Sequence, residues 1–415
     1  MAKIFPFQPF RYTPSAGNIQ DLVTQPYDKI YPAMQQRYLA ASPYNLVRVI
    51  LGEKFPDDTE TNNVYTRAAG YFNQWIEGGQ LAQDAEPAFY AYFQEFSVPD
   101  TGERMVRKGF IGLGEVVEYA AGVVHRHEQT LSGPKKDRRE VLRHTHAHFG
   151  QIFMLYPDRE GAIDKLLDEV SLAEPDMEIR DEYDAVHRLW RIADPALTAR
   201  VQALMSDKKL LIADGHHRYE TALGWRKDNP EMPGADKVMM TFVNMYSPGL
   251  KILATHRLVK DLEGFDADVF LAKAGAAFTV SKLASLEELK ALWSAPHEGK
   301  MRIGCAIAGR DGLYLLETEK PAGRLDVTVL HETLLDKMLG VSAEAVREEK
   351  FLKYARGADT AEAQVRGGAA QIGFLLEPTS IEEVADISFG GGVMPQKSTD
   401  FYPKLLTGVA IYKLG

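Results

Sequence analysis

The pentapeptide Asp214-Gly215-His216-His217-Arg218 places a carboxylate, a glycine, two imidazoles and a guanidinium in one turn. It follows the apolar run Leu210-Leu-Ile-Ala213, which reads as a buried strand, and a helix is expected straight after it. Strand-to-helix turns of this kind bind anions, because the first amides of a helix lack intrahelical partners and carry partial positive charge. Gly215 would let the backbone approach an anion closely, and Arg218 would supply a planar charged fork for phosphate oxygens. His216 and His217 can donate to phosphate or move a proton near neutral pH. Asp214 at the strand tip suits a divalent cation or a hydroxyl to be polarised. A capped helix start would explain Asp214 as an N-cap but leaves His-His-Arg unaccounted for.

Two further segments carry chemistry. His125 to Arg138 packs acid, imidazole and cations into a turn-rich stretch, with Glu128 as a candidate general base and Lys135 and Arg138 as cations for phosphate; the alternative is a solvated charged loop. Near the C-terminus, Gly390-Gly-Gly-Val-Met-Pro-Gln-Lys397-Ser398-Thr399 has the ingredients of a phosphate loop without its spacing, since no glycine directly precedes Lys397. His144, His146 and His148 alternate close to an expected helix, where i and i+2 positions diverge, so no structural metal is expected there.

The elements that must hold these groups follow from periodicity. Apolar spacing predicts helices near Ala33–Ala41, over Thr61–Gly78, near Ala196–Ser206 and over Val327–Leu339. Strands are expected at Leu46–Leu51, Ala88–Phe96, Ile152–Tyr156 and Val238–Met245, with Arg104–Val117 pairing antiparallel to Ala88–Phe96. Composition shifts after Leu258, which places a first domain at 1–265 and a C-terminal α/β domain at 266–415, the latter carrying Lys397–Thr399.

Bulk properties exclude several classes. The 415 residues carry 48 Lys plus Arg against 58 Asp plus Glu, a formal charge of -10, which argues against extended duplex binding but leaves room for a local basic pocket. The single cysteine, Cys305, permits neither an internal disulfide nor a cysteine zinc cluster and reads as a small core residue on a strand. Neither a signal peptide nor a run of roughly 20 apolar residues is evident. A cytoplasmic protein without membrane contact is expected, and a homo-oligomer is compatible with the sequence.

The motifs Gln25-Pro-Tyr-Asp28, Pro43-Tyr-Asn45 with Arg48, His127-Glu-Gln-Thr130, Ala213-Asp-Gly-His-His-Arg-Tyr219, Thr255-His-Arg257, and Met394-Pro-Gln-Lys-Ser-Thr399 with Phe401-Tyr-Pro-Lys-Leu405 span nearly the whole chain. Together they resemble the bacterial and archaeal domain-of-unknown-function family 1015, which brings no function with it. The Asp-Gly-His-His-Arg box is also similar to the signature of the ParB/sulfiredoxin superfamily. The sulfiredoxin match covers Gly215, His217 and Arg218 with His216 at the thiol position, which rules out sulfiredoxin chemistry; the ParB match covers Gly215 and Arg218. In the free serine kinases of this superfamily a similar box holds a nucleotide phosphate beside an acidic base. What the resemblance implies is a mixed α/β fold with a ParB/sulfiredoxin-like core and a second α/β domain.

The expected activity is then phosphoryl transfer from ATP or ADP with Mg²⁺ to a small hydroxylated metabolite, free serine being one such acceptor. In that expectation Glu128, Asp214, His216 and His217 are catalytic, with Asp214 on the metal, and Lys135, Arg138, Gly215, Arg218, Lys397, Ser398 and Thr399 bind phosphate. The alternatives are a ParB-like nucleotide-binding regulatory protein, disfavoured by the lack of a basic recognition helix after the box, and a metal-dependent phosphatase or other hydrolase built on the histidines.

Overall fold

A computed structural model describes residues 1–99, 101–128, 132–296, 299–321 and 323–415, and of 132–134 the backbone alone. Gln129 to Leu131, and with them Thr130 of the His-Glu-Gln-Thr motif, lie outside the described residues. The chain divides into two compact units: 1–98 with 103–251 and 403–415, and 99–102 with 252–402. Where composition placed a change near 265, the second unit begins at Ile252, because the strand Thr255–Val259 is hydrogen-bonded within the second unit's own sheet.

The strands of the first unit are β1 (Ile4–Phe5), β2 (Phe10–Tyr12), β3 (Leu81–Gln83), β4 (Phe89–Ser97), β5 (Arg104–Glu115), β6 (Val124–His125), β7 (Ala147–His148), β8 (Ile152–Tyr156), β9 (Met177–Arg180), β10 (Val186–Ile192), β11 (Leu210–Asp214) and β12 (Lys237–Asn244), and the C-terminal strand Tyr412–Lys413 that pairs with β7. Its helices are α1 (Pro32–Ala41), α2 (Val47–Ile50), α3 (Val64–Glu77), α4 (Ser132–Thr145), α5 (Ala162–Val170), α6 (Pro195–Met205) and α7 (His216–Asp228). Among the described residues, one large mixed sheet runs β6-β11-β8-β12-β5-β4-β10-β9, with β1 beside β5. The pairs β11–β6 and β12–β8 are parallel and the others antiparallel. The expected β4–β5 hairpin is present, in register Ser97 with Arg104. Phe110, Met154, Ile212, Met240 and Phe242 are buried on one face of the central strands and Ile111, Phe153, Leu155, Leu211 and Met239 on the other, as in strands covered on both sides.

Two local expectations fail for identifiable reasons. Leu46–Leu51 contains the helical turn α2 rather than a strand: the Asn45 side chain accepts the Val47 N–H at 2.9 Å and bends the chain into the turn. A short apolar run cannot distinguish the two by periodicity. The polar stretch before Arg138 is helical from Ser132 onward, because α4 packs against α3 and α7; tertiary packing carries the helix through a strongly charged sequence.

The second unit follows β13 (Lys251–Leu253), at whose first residue the units divide. It contains β14 (Thr255–Val259), β15 (Thr279–Leu283), β16 (Lys300–Ile307), β17 (Leu313–Glu319), β18 (Leu352–Arg356), β19 (Ile372–Leu375), and helices α8 (Ala267–Ala274), α9 (Leu286–Ser294), α10 (Asp326–Val329), α11 (Ala343–Arg347), α12 (Ala358–Arg366) and α13 (Ile381–Phe389). Its sheet runs β15-β17-β16-β19-β14-β18, antiparallel throughout. Cys305 is buried on β16. Among the described residues no helix is long and apolar enough to cross a membrane.

Candidate functional site

β11 reaches its last residue through a register shift: Ile212 pairs with Met154, but Asp214 pairs with Phe153, leaving Ala213 as the extra residue. A bulge re-aims the side chain beside it, here Asp214. Gly215 then takes φ +97° and serves as N-cap of α7. A Cβ there would meet the Arg218 guanidinium at 3.1 Å, so both conformation and packing require glycine.

Asp214 is half-buried at the centre of a group of cations drawn from distant segments. Arg218 Nη2 donates to its Oδ2 at 3.0 Å, one helical turn on, and Lys404 Nζ stands 3.9 Å from Oδ1. Burial works to raise this carboxyl, but Lys404, then Arg218 and Lys29, outweigh it and hold it well below the usual carboxylate range. Arg218 also donates through Nη1 to the Gln151 carbonyl. It borders a cleft of about 540 Å³, open mouth included, together with Tyr27, Arg138, His148, Thr221 and Thr407.

The histidines of the box have different fates. His216 is buried; its Nε2 accepts the His127 N–H at 3.5 Å and its ring meets the His127 ring edge-on at 4.6 Å. His127 is also fully buried, and its Nδ1 donates to the Ile212 carbonyl at 2.7 Å. Burial lowers the pKa of both, in His216 well below the ordinary histidine range with His127 adding to the effect. His217 is half-buried, and burial lowers it against the opposing pull of Glu220. Glu128 Oε1 lies 4.0 Å from His127 Nε2, and Glu128 and Asp28 both act electrostatically on His217.

The structure thus brings Glu128, Asp214, Gly215, His216, His217 and Arg218 into one neighbourhood. Lys135 pairs with Glu220, which also faces Arg126 at 3.7 Å. Arg138 stacks over Tyr27 at 4.0 Å and pairs with Asp137 at the rim of the cleft. Lys397, Ser398 and Thr399 belong to the second unit, where Arg257 Nη2 donates to the Lys397 carbonyl at 2.9 Å and Ser398 Oγ to the Pro395 carbonyl at 2.5 Å. Of the alternating histidines, His144 donates to the Glu140 carbonyl, His146 has φ +48° past the end of α4, and His148 stacks on Tyr412. Among the described residues no three His, Cys, Asp or Glu side chains gather as a metal site would need.

Residue-by-residue reading missed Lys29, Lys404 and Arg107. Arg107 on β5 is buried and donates to Gln94 Oε1 and, at 2.5 Å, to the Pro403 carbonyl, while lying over the Phe153 ring at 4.5 Å; burial pulls its pKa down to about 9. The signal for the two lysines was present in the sequence, since Lys29 follows the Gln-Pro-Tyr-Asp motif and Lys404 sits inside Phe-Tyr-Pro-Lys-Leu.

Residues 4–333 match the model of a family described as a protein of unknown function, DUF1015. The chain belongs to that family. No curated protein matches it. Among solved structures it is similar to a conserved hypothetical protein from Pyrococcus furiosus, at 14% identity over 70% of this chain and 92% of that one, TM-score 0.36. It is similar to a free serine kinase in complex with AMP, at 14% identity over 69% and 89%, TM-score 0.36. It is also similar to C-terminally truncated SbnI from Staphylococcus aureus, at 10% identity over 73% and 87%, TM-score 0.37. Superposition at that level fixes neither the fold nor a ligand for this chain.

Proposed function

We propose that the first unit, read as a ParB/sulfiredoxin-like core, binds a nucleotide at the β11–α7 junction and transfers a phosphoryl group to a small hydroxylated metabolite. The observation that carries this reading is the meeting of Arg218, at 3.0 Å, and Lys404, at 3.9 Å, on the single carboxylate of Asp214 at a helix N-terminus, with Lys29 adding its charge from a third segment. Cations gathered in that way favour an anion beyond the one carboxylate they already face.

In the step, the acceptor hydroxyl oxygen bonds to the terminal phosphorus. The bond from that phosphorus to the bridging oxygen breaks, the shortened nucleotide leaves with the electron pair, and the hydroxyl proton passes to Glu128. Asp214, held ionised, is too weak a base for that proton and suits orienting the hydroxyl. Arg218, Lys404 and Lys29 offset the charge of the transferring group, with Lys135 and Arg138 available at the periphery. His216 and His217, neutral at pH 7, can donate hydrogen bonds without adding charge. A single carboxylate fits Mg²⁺ only where phosphates complete its shell; Asp214 would hold it, and the ion would supply charge neutralisation. The reading rests on first-unit residues and leaves Lys397–Thr399 with no assigned part. Free serine is the first acceptor to assay, as the resemblance of the box suggests.

Calorimetric titration of ATP and ADP, each with and without Mg²⁺, tests the reading. Asp214→Asn and Arg218→Ala should each weaken binding about tenfold or more, the scale of removing one partner of a buried charge pair, and Arg218→Lys should recover part of the loss. Undiminished affinity in both loss variants, or no nucleotide binding by the native chain, would overturn it.

A further inference from the structure

The second unit contains a polar cavity that the proposed phosphoryl transfer does not use. It measures about 680 Å³, open mouth included, and is bordered by β14, α10 and α13. Six ionisable side chains line it: Arg257, Lys300, Lys320, Asp326, Glu377 and Glu383. The hydroxyls of Thr255, Thr379 and Ser398 join them. Three cations therefore face three carboxylates. A purely cationic wall would suit a phosphate; here the carboxylates would repel a multiply charged anion, and the cations would repel a metal ion.

These groups are fixed in place. Lys320 Nζ sits between Asp326 Oδ1 at 2.9 Å and Glu383 Oε1 at 2.6 Å. Glu383 is itself held by the capping box that starts α13, in which Ser380 N–H donates to its Oε2 at 3.0 Å. The fully buried Arg257 donates to the carbonyls of Thr255, Gln396 and Lys397 and so fastens the 395–398 loop, in which Lys397 is held at φ +58°. Backbone held in that region by its surroundings collects at ligand clamps. α10 also runs directly into the π-helical turns of Leu330–Met338, and such wide turns are frequent at functional sites. A cavity lined by charge does not stay dry; its natural occupant is a solute that matches both signs.

We infer that this cavity is a binding site of its own for a small zwitterionic metabolite, with an ammonium and a carboxylate a few bonds apart, as in the α-amino acids. The ammonium meets Asp326, Glu377 or Glu383; the carboxylate meets Lys320 and the charge of Arg257, with Lys300 shared with Glu317 Oε1 at 2.8 Å. The class follows from the electroneutral, two-signed lining, and the site stands independently of the first unit's activity.

The test is calorimetric titration of the full chain with individual α-amino acids, with β-alanine and 4-aminobutyrate as longer zwitterions, and with acetate and methylammonium as single-charge controls. At least one zwitterion should bind with a stoichiometry of one while both controls fail. Its affinity should be unchanged in Asp214→Asn and fall about tenfold or more in both Asp326→Asn and Lys320→Gln, whose folding is checked by circular dichroism. Three outcomes overturn the inference: no zwitterion binds the native chain, the controls bind as well as the zwitterions, or binding survives both cavity variants but is lost in Asp214→Asn. Because the nucleotide titrations use a different ligand, and read Asp214→Asn as a loss where this test reads it as neutral, failure here leaves that reading standing, and the reverse holds.

Discussion

Asp214 keeps its charge in a half-buried position because three cations reach it, and Arg218 reaches it only because residue 215 has no side chain. The two facts make Gly215 the most demanding position of the box. Alanine there must adopt φ near +97° and place its Cβ 3.1 Å from the guanidinium. Strain of that kind costs on the order of 1–3 kcal/mol, and relief would come by pushing Arg218 off Asp214. Gly215→Ala should therefore lose about that much stability in urea unfolding and weaken nucleotide binding as well. A variant as stable as the native chain would mean that the turn does not hold this conformation in solution. The neutral His216–His127 pair beneath the box is a second constraint at this scale: protonating either ring would put a charge next to Arg218 and Lys404 with little water to share it.

The strand-turn-helix that carries the box was legible in the sequence because each of its parts is local: an apolar run, a glycine and a polar helix start. The β4–β5 hairpin was legible for the same reason. The anchoring of Lys404 was not, since it depends on groups more than 200 residues away in sequence. Gln94 on β4 donates to the Lys404 carbonyl at 2.8 Å, Arg107 on β5 to the Pro403 carbonyl, and Leu406 N–H donates to Tyr92 Oη at 3.2 Å. Behind them His187 bridges Tyr92 at 2.7 Å and Asp181 at 3.2 Å. These side chains are buried polar groups on strands that look apolar or merely mixed in sequence, and no periodicity reveals what they hold. Their effect is to lock the terminal segment against the sheet so that its lysine faces Asp214. Gln94→Leu removes the acceptor of Arg107 and the donor to Lys404 together. It should cost about 1–3 kcal/mol for the groups left without partners and lower nucleotide affinity without any direct contact to ligand. Affinity equal to that of the native chain would show that Lys404 does not depend on this network.

Across the whole molecule, buried imidazoles dominate the response to acid. His127, His187, His216 and His256 are buried and His148 and His331 partly so, and burial lowers the pKa of all six; in His187 it outweighs the neighbouring Asp181. His148 and His256 come down to about 4. The sign follows from linkage. Between a depressed folded value and the unfolded value of about 6.5, the unfolded chain binds the extra proton, so stability rises with pH across that window and is lost on acidification through it. The carboxylates act later, because Asp137, Asp181 and Asp214 are depressed in the fold and give up their contribution only as pH falls below about 4. Acid unfolding should thus begin well before the carboxylate range. From pH 7.5 to pH 5 each histidine that stays neutral contributes a loss of up to about 2 kcal/mol, which denaturant titrations at closely spaced pH values will resolve. His256 accepts the Leu376 N–H at 3.2 Å and, among the described residues, has no carboxylate within its hydrogen bonds, so His256→Gln should flatten the slope between pH 6.5 and 5 by one histidine's share. A native chain whose stability is unchanged over that interval would mean that these rings carry protons in the fold, and with that the neutral hydrogen-bonding role of His216 beside Asp214 would fall.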